Sequence, residues 1–208
     1  EILLDRADRV LLKTAPLLDL SHAMEQLGMV SRIWVISVEN EVKEVLYLLE
    51  KSASAPDEVP IDAVCLGTEM RVFRFSRSEE RAAEPEYAQP QAYLYEPDAA
   101  VLKAGAFKTF ACRFGLAKLH LQTHLYTSQV LVPDVPGRCF AIDAVVKYDR
   151  KAVREVLPGG RANVAVRHFP DKPEAVRQKL GLADGGEHYL FGMTDAAGRR
   201  VVVVGRKC

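Results

Sequence analysis

Apolar and polar positions follow two rhythms along this chain. Arg9-Val-Leu-Leu-Lys13 is an unbroken apolar run between two cations, the pattern of a strand buried on both faces in a parallel sheet. Pro16 breaks the run, and Asp19 or Ser21 can cap a helix to about Leu27, closed by Gly28. Ile33-Trp-Val-Ile-Ser-Val38 is a second buried strand. Beyond Glu39-Asn40-Glu41, the apolar residues Val42, Val45, Leu46 and Leu49 stand at helical spacing and predict a helix. Ser52–Pro60 is a loop, and Ile61–Leu66 and Arg71–Phe75 are two more predicted strands. Strands and helices alternating in this way fold as right-handed βαβ units, so residues 1–75 predict an α/β architecture. Its sheet would be mostly parallel and doubly wound, but only in part. Four strands and two helices leave one sheet edge and much apolar surface uncovered. The expectation is a fragment, with either a missing N-terminal half of the domain or a second copy covering the gap.

Residues 76–92 are polar, charged and proline-bearing, as expected of a linker. Tyr93–Tyr95 can pair as a short strand, and Pro97 suits the first turn of a helix that reaches Phe114 and stops at Gly115. Leu119–Val132 is less regular. The order then sharpens. Cys139–Val146 predicts a strand and Asp149–Leu157 a helix capped by Asp149. Gly159-Gly160 turns into the strand Ala162–Phe169, and Asp171 can cap a helix that has Pro173 in its first turn and ends at Leu180. Glu187–Met193 and Arg200–Arg206 form a hairpin around Ala196-Ala197-Gly198. The sum is a βαβαββ module, a compact sheet with two helices on one face.

Charge divides along the same line. The 208 residues carry 28 Lys+Arg and 28 Asp+Glu, a net charge of zero. Residues 1–92 hold ten cations against 17 acids, and residues 93–208 hold 18 against 11. An acidic half joined to a basic half suggests two modules with different partners, the basic one facing polyanions. No apolar run approaches the roughly 20 residues of a membrane-spanning helix, so no membrane partner is expected. Cys65, Cys112, Cys139 and Cys208 lie far apart, with no zinc or redox spacing, and are expected as reduced thiols of a cytoplasmic protein.

Two polar clusters would sit beyond the carboxyl ends of the predicted parallel strands, where open α/β sheets bind ligands. They are Lys13 with Thr14, and Glu39, Asn40 and Glu41. The same residues serve equally as turn, cap and first-turn residues. Residues 1–92 contain only Gly28 and Gly67, so no glycine-rich loop is available to cradle a phosphate or nucleoside. His120 and His124 have the spacing of a helical metal pair, but no acidic residue lies near them, and no metal is expected. In the basic half, cations interleave with aromatics around Phe107, Phe110 and Phe114. Lys103, Lys108, Arg113, Arg167, Arg199, Arg200, Arg206 and Lys207 are the candidate RNA contacts, able to neutralise phosphates beside rings that stack on bases.

The motifs Tyr93-Leu-Tyr-Glu-Pro-Asp-Ala-Ala-Val-Leu-Lys-Ala-Gly-Ala-Phe107, His124-Leu-Tyr-Thr-Ser128, Pro136-Gly-Arg138, Arg167-His-Phe-Pro170 and Gly185-Gly-Glu-His-Tyr-Leu-Phe191 resemble a known C-terminal region. It is the THUMP-like region of a group of bacterial class I S-adenosylmethionine-dependent methyltransferases. Leu11-Leu-Lys-Thr-Ala-Pro-Leu-Leu-Asp19 and Glu39-Asn-Glu-Val-Lys-Glu44 are similar to later strands of that family's catalytic domain. The resemblance implies a small ferredoxin-like segment over 93–132 and a THUMP-like domain over 133–208. Residues 1–75 would then be the C-terminal half of a Rossmann-like methyltransferase domain. RNA is the implied partner. S-adenosylmethionine is implied for the parent protein and is not expected on this chain, whose catalytic residues would lie upstream of Glu1. Two other readings stay open: a non-catalytic protein-interaction module, and an α/β enzyme for a small metabolite with the basic domain as its lid.

Overall fold

The computed structural model describes residues 3–208 and divides into two compact units. The first comprises residues up to Glu84 together with Asp98–Phe110, and the second comprises Pro85–Pro97 with Ala111–Cys208.

The first unit is built on five strands: β1 (Arg9–Thr14), β2 (Val30–Val38), β3 (Glu41–Glu50), β4 (Ile61–Leu66) and β5 (Met70–Phe75). They lie in the order β1-β3-β2-β4-β5. Helices α1 (Leu20–Leu27), α2 (Arg77–Ala82) and α3 (Ala99–Ala104) belong to the same unit. On one face Val35, Val45, Tyr47, Ile61, Ala63 and Phe73 are buried, and α3 packs there against β2, β3 and β4. The opposite face carries Leu11, Trp34, Leu46, Val64, Val72 and Met70. Leu11 is 60% exposed and Met70 68%, and no described element of this unit packs over that face.

The helix expected after Glu41 is the strand β3. Its apolar residues also satisfy a period of two: Val45, Tyr47 and Leu49 face inward while Leu46 and Leu48 face outward. The local signal that decides is the turn before it. Glu39 and Asn40 both have positive φ, 50° and 63°, which makes a two-residue hairpin between β2 and β3. The Asn40 Oδ1 also accepts a hydrogen bond from the backbone N–H of Ala99 at 2.9 Å. With hairpins in place of crossovers, the expectation of a mostly parallel sheet fails: only β2 and β4 pair in parallel. β1 is an edge strand exposed along alternate residues, not one buried on both faces.

Residues 76–92 are more ordered than a linker. Ser76 and Glu79 form a reciprocal capping box that starts α2, and Tyr87 bridges to Lys118. The helix expected from Pro97 to Phe114 is two helices, α3 and α4 (Lys108–Phe114). Pro97 ends a strand, Asp98 caps α3, and Gly105 closes α3 in the left-handed region that only glycine adopts at little cost.

The second unit holds one seven-stranded sheet, where the sequence suggested a small segment and a separate module. Its strands are β6 (Tyr93–Pro97), β7 (Ala117–Lys118), β8 (Tyr126–Ser128), β9 (Gly137–Lys147), β10 (Asn163–Arg167), β11 (His188–Thr194) and β12 (Arg200–Lys207). The order is β10-β11-β12-β9-β6-β8-β7. The expected βαβαββ order is present in β9, α5 (Arg150–Val156), β10, α6 (Pro173–Leu180), β11 and β12. Asp149 caps α5 as expected. Asp171 does not cap α6. Its carboxylate instead accepts from the Tyr148 hydroxyl and the Lys179 ammonium, both at 2.8 Å.

β9 joins the two parts because it pairs with β12 along one edge over 140–147 and with β6 along the other over 137–141. The strand faces alternate to make two cores. Leu190, Val202 and Val204 pack with Val153, Leu157, Val176 and Leu180 beneath α5 and α6. Phe191, Met193 and Val203 point the other way, to Leu94, Leu119, Leu125 and Phe140. A register shift at Gly205 brings the backbone oxygen of Ala141 against the place where a Cβ would stand, so only glycine fits there.

Candidate nucleic-acid interface

Most of the sequence-predicted cations are committed to the fold. Glu96, at the end of β6, is only 2% exposed. Arg138 from β9 and Arg167 from β10 both donate to its carboxylate. A buried carboxylate requires such partners, because an unpaired charge in a low-dielectric interior costs several kcal/mol. Arg199 is held by Asp195, which is fully buried; its Nε lies 2.9 Å from Oδ2, and Gln89 takes the other end of the guanidinium. Arg206 makes a two-pronged contact with Asp143 at 2.8 and 3.1 Å, which raises its own pKa. Burial alone would raise the Asp195 carboxyl. The backbone N–H and side chain of Arg199, with the N–H of Ala197, hold it below the ordinary carboxylate value.

Lys103 and Lys108 lie in the first unit, outside the βαβαββ module. Lys103 Nζ donates to the Leu18 carbonyl at 2.8 Å, and Lys108 Nζ to the Arg81 carbonyl at 2.9 Å. Arg113 is exposed on α4. Arg200 and Lys207 are exposed at opposite ends of β12 and make no described ion pair.

Sequence reasoning passed over a set of cations on α5. Arg150, Lys151 and Arg154 are exposed, and with Lys147 at the end of β9 they make no described ion pair. Val153 and Leu157 anchor α5 to the core; Arg150 and Arg154 flank that stripe, the Arg150 guanidinium lying against Gly181 at the end of α6, and Lys151 points away from it. The three cations line a shallow depression with Asp149, Glu155 and Pro158. Two cations stand in the first turn of α5, where the helix dipole favours negative charge, and the N-cap Asp149 supplies that charge. Lys147 pairs in register with Val201, the neighbour of Arg200, which extends the basic surface to the β12 terminus. Positions 150, 153, 154 and 157 share the period of one helix face, so spacing alone did not mark these cations as a surface set.

The other candidates take simpler places. Lys13 forms an ion pair with Glu44 at 2.9 Å, and Glu41 pairs with Lys43 at 2.6 Å. Glu39 and Asn40 form the β2/β3 turn. Lys13, Thr14 and Glu39–Glu41 share one end of the sheet, at the carboxyl termini of β1 and β2. The Thr14 hydroxyl and the Tyr47 hydroxyl are both buried without a hydrogen-bond partner. Burial raises the Tyr47 phenol. His120 and His124 are not on a helix. His120 stacks on His168 with ring centroids 4.9 Å apart and planes 11° apart. Among the described residues no group of three or more His, Cys, Asp or Glu is arranged to hold a metal. No described helix is long and apolar enough to cross a membrane.

A ferredoxin-like domain family matches residues 93–136, and a THUMP domain-like family matches residues 137–207. A crystal structure from Porphyromonas gingivalis W83, described as a "putative methyltransferase", superposes with a TM-score of 0.90 at 36% identity. It covers 97% of this chain and 51% of its own. Two Mycobacterium tuberculosis proteins, from strains CDC 1551 and H37Rv, are each named an uncharacterized S-adenosylmethionine-dependent methyltransferase. Each is 30% identical over 93 residues, 43% of this chain and 25% of the relative. The chain thus spans about half of the solved relative and matches a quarter of the curated ones. It is a relative of bacterial proteins named S-adenosylmethionine-dependent methyltransferases, and it carries a THUMP-like domain.

Proposed function

We propose that this chain is the RNA-engaging, C-terminal portion of an S-adenosylmethionine-dependent RNA methyltransferase that works in the cytoplasm. The observation that carries the reading is the cluster of exposed cations on α5 within the THUMP-like domain, where Arg150, Lys151 and Arg154 have no described ion pair. Cations left unpaired beside a folded core are available to phosphates, and phosphate contacts supply most of the non-specific affinity for nucleic acid. The first unit is then the later half of a catalytic sheet. Its exposed edge β1 and its uncovered apolar face would receive the rest of the catalytic domain.

The residues of this chain do not fit the methyl donor. The loop from β1 to α1, Ala15–Asp19, contains a proline and no glycine. Gly28 caps α1 and Gly67 lies between β4 and β5, so neither brings backbone N–H groups to a nucleotide. Binding of the cofactor therefore belongs to the other half of the parent protein. Filter binding of the chain to a structured RNA tests the reading. Binding that weakens as salt rises, and again when Arg150, Lys151 and Arg154 are replaced by Glu, supports it. Salt-insensitive binding unchanged by the charge reversal overturns it.

A further inference from the structure

We propose that Cys139 and Cys208 form a site of reversible disulfide formation, with a small disulfide of the glutathione class as oxidant. The two residues are 69 positions apart, so sequence spacing hides them, yet their Sγ atoms are 2.7 Å apart. The approach follows from strand pairing. Lys207 faces Phe140 at the last described pair between β12 and β9, which sets Cys208 opposite Cys139. The Cys208 backbone N–H donates to the Cys139 carbonyl at 3.0 Å. An S–S bond of about 2.05 Å needs little further movement, and antiparallel neighbours carry their β-carbons close enough to be bridged.

The two thiols are unequal. Cys208 is exposed, whereas Cys139 is half-buried, with its thiol pushed up to about 12 by burial and by the Cys208 thiol beside it. Cys208 is therefore the entry point. Its thiolate attacks one sulfur of oxidised glutathione, the glutathione S–S bond breaks, and the departing thiolate takes a proton from water. A mixed disulfide is left on Cys208. Cys139 then gives its proton to water and attacks the Cys208 sulfur, releasing the second glutathione. Two protein thiols lose two hydrogens and two electrons, and one glutathione disulfide becomes two glutathione thiols. The second step is the slow one, because Cys139 is seldom a thiolate at neutral pH, and it accelerates as pH rises.

The bond would lock β12 to β9 where β9 also pairs with β6, since Cys139 faces Tyr95 across that ladder. It would thus fix the seam between the ferredoxin-like and THUMP-like parts.

The test uses the full chain, equilibrated over a series of oxidised-to-reduced glutathione ratios, quenched in acid, alkylated and measured by intact and peptide mass spectrometry. We expect the monomer to lose both alkylation sites together, with a linked peptide joining Cys139 to Cys208, while the exposed Cys112 goes no further than a glutathione adduct. The oxidised chain should melt roughly 5–10 °C higher than the reduced one. In Cys139→Ser, oxidation should stop at a glutathione adduct on Cys208. Cys139 and Cys208 remaining unlinked at the oxidising end would overturn the proposal. So would wild-type chain halted at the Cys208 adduct. The Cys208→Ser variant, changed only at an exposed position, controls for folding and should show no link.

Discussion

Arg167 at the end of β10 and Glu96 at the end of β6 form an ion pair although three strands separate theirs in the sheet. The sheet must coil for them to meet, and Phe140, Phe191 and Met193 fill the space inside the coil. Arg138 donates to the same carboxylate from the neighbouring strand. Arg167 is therefore a structural residue first, although it ends a strand beside a loop as a binding residue would.

The stability consequence can be measured. Arg167→Ala alone leaves Glu96 one partner, and we expect a loss of about 1–2 kcal/mol, since the Arg167 side chain is 36% exposed. Removing Arg138 as well strands a buried carboxylate and should cost about 3–5 kcal/mol, more than the two single losses added. Urea unfolding of the single and double variants checks this. Additive losses would show that water reaches Glu96 once either arginine is gone.

The β2/β3 turn gives a second test. Asn40 holds positive φ and also accepts from Ala99 N–H, so two replacements separate the two roles. Asn40→Gly keeps the backbone conformation and removes the side-chain bond, for about 1 kcal/mol. Asn40→Ala removes both and should cost about 2 kcal/mol. Equal melting temperatures for the two variants would assign the whole effect to the side chain.

A pH response follows from Asp195. Its carboxyl is held below the ordinary carboxylate value in the folded chain, against the raising effect of burial, by Arg199 and Ala197. A group depressed on folding adds stability at pH values above its unfolded pKa of about 3.9. That stability is lost as pH falls through the folded value. We expect Asp195→Asn to flatten the fall in melting temperature below about pH 4 while lowering stability at pH 7. An acid profile parallel to that of the wild type would place the acid-sensitive group elsewhere.

Much of this was legible in the sequence, in places where local chemistry and tertiary structure agree. Asp19 and Gly28 bound α1, and Asp149 caps α5, because caps act within a few residues. The βαβαββ order was legible because its loops carry turn residues and its strands are continuous apolar runs. The strand β3 was not. Val42, Val45, Leu46 and Leu49 fit both periods, and a Glu-Asn turn lacks the glycine that usually marks a hairpin. Ion pairing was hidden as well. Nothing around Arg167, Arg199 or Arg206 in sequence reveals Glu96, Asp195 or Asp143, since the partners are set by sheet order and register. The same holds for Cys139 and Cys208, which only the β9/β12 register brings together.

The division between paired and unpaired cations yields the sharpest expectation for RNA. Arg199 already holds a buried carboxylate, so moving it onto a phosphate would strand Asp195, and Arg206 is held by Asp143. Arg150, Lys151 and Arg154 face solvent with no described ion pair to break, and Lys147 and Arg200 flank them. For every phosphate that is no longer neutralised, the salt dependence of affinity should fall by roughly 0.7 to 0.9 logarithmic units per decade of salt. Lys151→Ala and Arg154→Ala together should therefore lower the slope by about 1.5 and weaken all RNA sequences alike. Their effect on stability should stay within about half a kcal/mol, as is usual for exposed cations. Arg199→Ala should do the reverse, lowering stability by about 1–3 kcal/mol through the unpaired Asp195 and leaving the slope unchanged. Filter binding across salt concentrations, paired with urea unfolding of the same variants, separates the two classes. A slope that falls for Arg199→Ala and stays constant for the α5 pair would move the RNA surface from α5 to the β11/β12 turn.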